Sequence, residues 1–310
     1  MRSPARSLLL SLLLAPALAG EDLSDLFASL KGAENSVTRL VVIRKAARSL
    51  DPLDRRPLAA AYARLEADPA SGFSEAEKTA ILSAIRDLPE AGPCACRGLT
   101  DPSRAVRMEA LRCVEARRHG PAVPDLIALL DGVGQDRSFA REDLALAQRA
   151  GQVLEILANR SEHFDALSRQ AERQVVLTRW RRWWEANQAR PRSEWVRQGF
   201  QDEGIEVVLA PGGSPQATPE SVEPLLGALA EDRPAWIREN AEDLLSHASR
   251  TCWPALAKGL SHEDEAVRLR LAKTFRAALA AAGQPDLPDP AQGGLAESLK
   301  AWWGGHADSQ

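Results

Sequence analysis

Apolar residues recur three and four positions apart along most of this chain, which is the spacing of a helix with one buried face. Leu40, Ile43, Ala47 and Leu50 predict a helix over residues 36–50, and Leu58, Ala61, Tyr62 and Leu65 predict another over 57–67. A shorter helix is predicted over 23–30. Asp51-Pro52 and Asp68-Pro69-Ala70-Ser71-Gly72 read as breaks between them. Ser74-Glu75-Ala76-Glu77 has the form of a capping box and predicts a helix running to about Leu88, ended by Pro89 and Gly92-Pro93.

Beyond this point the pattern repeats on a larger scale. Leu99-Thr100-Asp101-Pro102-Ser103-Arg104-Ala105-Val106-Arg107 has the same Leu-to-Val spacing as Leu260-Ser261-His262-Glu263-Asp264-Glu265-Ala266-Val267-Arg268. A third copy, one residue longer, runs from Leu229 through Asp232-Arg233-Pro234-Ala235-Trp236 to Ile237-Arg238, and Gln148-Arg149-Ala150 is a weaker fourth, following a polar loop over residues 131–137. Short apolar helices are predicted over 123–130, 222–229 and 254–260. Each unit thus reads as a short helix, an acidic turn and a longer helix with an early Val-Arg or Ile-Arg.

A second repeat is carried by tryptophan. Arg179-Trp180-Arg181-Arg182-Trp183-Trp184-Glu185-Ala186-Asn187 returns, degraded, as Leu299-Lys300-Ala301-Trp302-Trp303 at an offset of 119 residues. Trp180, Trp183 and Trp184 lie at i, i+3 and i+4, on one helical face, with Arg181, Arg182 and Glu185 expected to face water. A single helix pair cannot bury its apolar face, so stacked pairs need an end cover. We assign that role to Trp180, Trp183, Trp184, Trp302 and Trp303.

The aspartate-to-valine-arginine pattern at Asp101, Val106 and Arg107 and its copies resembles the HEAT-repeat family, most clearly over residues 95–160 and 220–280. The segment 179–187, followed by Arg192-Ser193-Glu194-Trp195, looks like one that ends repeat blocks in many bacterial members. The resemblance implies an all-α fold, a HEAT-like α-solenoid of stacked helix pairs in two modules. The expected division is a leader over 1–19, an N-terminal helical region over 20–90, a first module over 91–190, a connector over 191–218 with a short extended run from Gly204 to Pro215, a second module over 219–303 and a tail over 304–310. Within the connector, Gly204-Ile205-Glu206-Val207-Val208-Leu209 is β-branched and is followed by a turn-rich run to Pro215; Pro285, Pro288 and Pro290 mark a further non-helical link.

Composition agrees with helix and narrows the partners. Both charge signs are interspersed, and the formal charge of the 310-residue chain is -4, which is not the basic excess of a nucleic-acid binder. Arg2 and Arg6, the apolar run 8–14 and Ala17-Leu18-Ala19 read as a secretory signal peptide cleaved after Ala19. Its removal leaves 37 basic against 43 acidic residues, a charge of -6, and implies a periplasmic or secreted protein. The four cysteines then meet an oxidising compartment. Either Cys94 or Cys96 is placed to bridge to Cys113, while Cys113 and Cys252 read equally as buried thiols.

Candidate contact residues are few. Arg107, Arg238 and Arg268 read as a basic ladder for a partner or as arginines bonding the acidic turn of a neighbouring repeat. Trp236 stands where its copies carry alanine, which marks it as a partner contact. The five histidines are scattered, and no metal, cofactor-binding or catalytic constellation is visible. The expectation is a non-enzymatic exported scaffold that binds a protein partner, without cofactor, nucleic acid or a membrane span in the mature chain. A carbohydrate or cell-envelope binder using exposed tryptophan is the alternative. A HEAT-like enzyme or accessory acting on nucleic acid or tetrapyrroles stands behind both.

Overall fold

Ala- and Leu-rich segments separated by Pro, Gly and Asp leave the backbone one way to satisfy its polar groups while hiding a single apolar face, and that is a succession of helices. The computed structural model describes residues 35–49, 51–64, 72–132, 141–210, 215–284, 286–290 and 294–306. Among these the chain is all-helical. The expected leader, the helix over 23–30, most of the turn at 68–72, the polar loop beyond residue 132, residues 211–214, Pro285 and the end of the tail lie outside the described residues.

Fourteen helices are present among the described residues: α1 (Ser36–Ala47), α2 (Pro52–Arg64), α3 (Glu75–Ile85), α4 (Ala91–Leu99), α5 (Arg104–Arg117), α6 (Val123–Gly132), α7 (Arg141–Ala158), α8 (Gln170–Asn187), α9 (Arg192–Asp202), α10 (Val222–Ala228), α11 (Ala235–Ser246), α12 (Trp253–Gly259), α13 (Glu265–Ala281) and α14 (Leu295–His306). Short 3-10 turns, Gly120–Ala122, Pro219–Ser221 and Arg250–Cys252, lead directly into α6, α10 and α12. The expected capping box forms: Ser74 Oγ accepts from Glu77 N and Ser74 N donates to Glu77 Oε2 at 2.6 Å. Pro52, expected to stop a helix, instead opens α2, where its missing N–H costs nothing.

The chain divides into two compact units, Met1–Arg117 and Arg118–Gln310. In the first, α1 packs on α3 and α3 on α5, while α2 packs on α4, so each helix meets the one after next as well as its chain neighbour. Ile43, Leu58, Ile81, Leu82, Ile85, Leu99, Leu111 and Val114 form the core. Its α1–α3 contact is pinned by Arg39 Nε on Glu77 Oε1 at 2.8 Å, with the Glu77 side chain fully buried. Burial pushes that carboxyl's pKa up, but the hydrogen bonds from Arg39 and from Ser74 outweigh it and hold it below its ordinary 4.5. A depressed carboxylate stabilises above its unfolded pKa and loses that contribution as pH falls through the folded value. Acid should therefore weaken this unit below about pH 4.5. Glu77→Gln should cost about 2–3 kcal/mol at pH 7, because it leaves Arg39 facing a neutral amide, and should flatten the acid limb of circular-dichroism unfolding curves.

In the second unit α7, α11 and α13 follow one another in contact, as do α10, α12 and α14; α8 packs on α6, and α9 on both α7 and α11. Within the expected connector over 191–218, Trp195, Val196, Gly199 and Phe200 give residues 192–202 a helical stripe, and α9 buries it. Among the described residues, the extended stretch begins at Ile205. Ile205 and Val207 are buried while Glu206 and Val208 are exposed, and a lone antiparallel bridge joins Leu209 to Ala217.

The helix pairs come closest at glycine. A Cβ on Gly98 would meet Ala110 Cβ at 2.8 Å, and one on Gly259 would meet Leu271 Cδ2 at 2.7 Å, twelve positions on in each case. No bridge joins Cys94 or Cys96 to Cys113: the Cys113 thiol is free and donates to Leu82 O, and that of Cys94 to Ala59 O. The sulfurs turn towards carbonyls of α3 and α2 rather than towards each other. Burial pushes the Cys94 thiol up to about 11 and Cys113 up to about 12.

Candidate interaction face

The tryptophan helix α8 stands on its own rings. Trp180 is fully buried and meets Trp183 edge-on at 5.6 Å. Trp183 and Trp184 both pack edge-on against Trp195 of α9, at 5.4 and 5.7 Å. Trp195 Nε1 donates to Asn187 O at 3.0 Å, and Asn187 Nδ2 donates to Trp183 O at 2.7 Å, so the motif's asparagine ties the helix end to the ring stack. Arg181, expected in water, is half-buried and pairs with Asp131 at 2.9 Å.

The C-terminal copy is more complete than its sequence suggested. Leu299 takes the buried place of Trp180, and Trp303 packs edge-on against Trp253 and Phe275. The position matching Asn187 is His306. Its Nδ1 lies 2.8 Å from Trp302 O, the equivalent bond to the carbonyl four residues back, and its ring stacks on Trp302 at 4.5 Å. The offset of 119 would have found this residue; an asparagine was sought instead.

Beneath α8 and α9 lies a buried polar junction that sequence reading missed. Asn159 ends α7 with φ 51, a conformation asparagine tolerates better than most residues, and its Nδ2 donates to Val196 O at 2.7 Å. Asn240 of α11 offers its amide N–H groups to Ile156 O, Asn159 Oδ1 and Trp236 O, all within 2.9 Å. Arg192, at the start of α9, closes the ring with Nη2 on Asn240 Oδ1 at 2.7 Å. Asp243 Oδ2 stands 3.9 Å from Arg192 Nη1 and 3.8 Å from Arg118 Nε. Burial lowers the Arg192 pKa to about 10; Asp243 opposes this and Arg118 adds to it, and the guanidinium stays charged at neutral pH. The residues lie far apart in sequence, and single asparagines carry no periodic signal.

The repeated arginines share one local contact. Arg107 Nη1 donates to Asp101 O and Pro102 O at 2.8 and 2.9 Å, Arg268 Nη1 to His262 O and Glu263 O at 2.6 and 2.9 Å, and Arg238 Nη1 to Glu231 O at 3.0 Å and to Arg233 O. Each clamps the backbone of the turn before its own helix. Arg173, unrecognised in the sequence, does the same with Ala166 O and Ser168 O at the start of α8. Arg149, the weak copy, lies within α7 and bonds Gln152. Charge-assisted bonds of this kind contribute about 1.5–3 kcal/mol when removal strands their partners. Arg268→Met should therefore lower the melting temperature of the second unit by several degrees, read by tryptophan fluorescence.

Trp236 is half-buried and packs against the core of the second unit, so it is not the exposed contact anticipated for it. Glu155, Ser161 and His163 cluster after α7, but Ser161 Oγ donates to Glu155 Oε1 at 2.5 Å and accepts from His163 N, which is the geometry of a locked turn. Among the described residues no group of three or more His, Cys, Asp or Glu is arranged to hold a metal, and no helix is long and apolar enough to cross a membrane.

What remains exposed near these elements is the outer side of α8. Val175 is 52% exposed, and Arg179 and Arg182 follow it along the same side; Leu167, in the turn before the helix, is 80% exposed. No family model matches the chain, and no curated protein matches it.

Proposed function

We propose that this chain is an exported, non-enzymatic scaffold of HEAT-like type, an α-solenoid that binds a protein partner through the outer face of α8. The observation that carries the reading is the unpartnered side of α8 above a base of interlocked indoles. Four interlocked tryptophans tie α8 to α9, and the Asn159–Arg192–Asn240 junction ties α9 to α7 and α11, while exposed Val175 offers apolar surface on the outer side of α8. A pre-organised face loses little conformational freedom on binding. The i-to-i+2 helix contacts within each unit, and the clamped turns at Arg107, Arg238 and Arg268, support the stacked-pair architecture. The glycan-binding alternative is disfavoured because each of the eight indoles is buried or half-buried.

The test is photo-crosslinking from residue 182 in the full-length protein expressed in its native cell, with mass spectrometry of the adducts and fractionation to locate the protein. A reproducible protein adduct in the envelope or secreted fraction is expected. Its absence across growth conditions, or a chain confined to the cytosol, overturns the scaffold reading.

A further inference from the structure

The outer face of α8 also carries information about what it binds. Ala171, Val175 and Arg179 are spaced by four, and Val175, Arg182 and Ala186 by seven and four, so these five fall on one side of the helix. All five are exposed. The side is small and apolar at Ala171 and Val175 and basic at Arg179 and Arg182, a ridge of the kind that packs into the groove of another helix. Its cations are available. Among the described residues Arg182 makes no ion pair, and Arg179, with 58% of its side chain exposed, reaches Glu162 only at 3.9 Å. The surrounding stretch is also basic. Residues 169–197 hold eight arginines against three acidic residues, within a chain whose formal charge is -4.

Resting on the scaffold reading, we propose that α8 docks an acidic amphipathic helix of a partner protein. The partner's apolar stripe would lie on Ala171 and Val175, and its carboxylates would meet Arg179 and Arg182. Apolar contact over the first turns of the helix with charge further along it fixes the direction in which the incoming helix runs, because only one orientation brings acid to arginine. A nucleic acid would need a continuous run of cations, whereas here the ridge is apolar for its first half and Glu172 and Glu185 flank it.

The experiment uses the full chain and a fluorescently labelled synthetic peptide, an amphipathic helix with leucines at i, i+3, i+4 and i+7 flanked by glutamates. A companion peptide has every glutamate replaced by lysine. Anisotropy titrations should show saturable binding of the acidic peptide that weakens with salt, and at least about tenfold weaker binding of the lysine peptide. Val175→Asp and the double variant Arg179→Glu, Arg182→Glu should each weaken the acidic peptide about tenfold. Both leave folding intact because the three side chains are exposed, which circular dichroism verifies. Equal affinity of the two peptides, unchanged affinity in both variants, or tighter binding to phosphatidylglycerol vesicles or duplex DNA than to the peptide overturns the proposal. If crosslinking captures a protein while the acidic peptide fails to bind, the scaffold reading stands and the acidic-helix assignment falls; if neither is seen, both fall.

Discussion

Gly199→Ala is expected to be the most damaging single substitution in the second unit. A Cβ at this position would lie 1.8 Å from Asn159 O and 2.8 Å from Asn159 C. The obstacle is backbone, held by the hydrogen bond from Asn159 Nδ2 to Val196 O, so no side chain can swing aside. α9 would have to lift from the end of α7 by more than an ångström, breaking the junction as it goes. Over-packing that forces backbone to move costs about 3 kcal/mol or more. Gly227→Ala is the matched control. Nothing lies within 4 Å of its Cβ, it sits within helix α10, and alanine there should be neutral or stabilising by up to about 1 kcal/mol. All eight tryptophans lie in the Arg118–Gln310 unit, so urea unfolding followed by tryptophan emission reports this unit alone. Equal midpoints for the two variants would show that the close approach is not tight.

Asn240→Ala should follow closely. The side chain is 1% exposed and connects the end of α7, the start of α9 and the middle of α11. Removing it strands two carbonyl oxygens and one face of the Arg192 guanidinium, a buried cation left with Leu157 O at 3.3 Å and a carboxylate at 3.9 Å. Leaving such groups unpaired costs about 3–4 kcal/mol in total. Arg192→Met removes the charge as well as its bonds and should cost less than Asn240→Ala. The same emission-detected urea curves test the order; if Arg192→Met proves the more damaging, the junction's value lies in the cation and not in its satisfied amides.

The helices were legible because their signal is periodic. The stripes of α1, α3, α5, α11 and α13, the Ser74 box and the tryptophan spacing all appear in windows of a few turns. The stripe of α9 was equally readable in Trp195, Val196 and Phe200. The arginine copies were visible as a repeat, but their carbonyl partners were not, because backbone oxygens leave no mark in the sequence. Arg173 and His306 escaped for a related reason: each keeps the bond of its counterpart while the residues around it, or the residue type itself, have changed. The Asn159–Arg192–Asn240 junction could not be seen, since its members meet only when three helices have packed. The outer ridge of α8 was present in the spacing of Ala171, Val175 and Ala186, but only burial tells which of two faces a helix leaves uncovered.

The turn clamps carry one last implication. In two copies the arginine reaches carbonyls six and five residues behind it; in the copy with the longer turn it reaches seven and five. A fastening that grips peptide oxygens is blind to which side chains decorate the loop and absorbs an added residue by stretching one position further. Such loops are free to diverge in composition, and even in length, while the angle between successive hairpins is inherited unchanged.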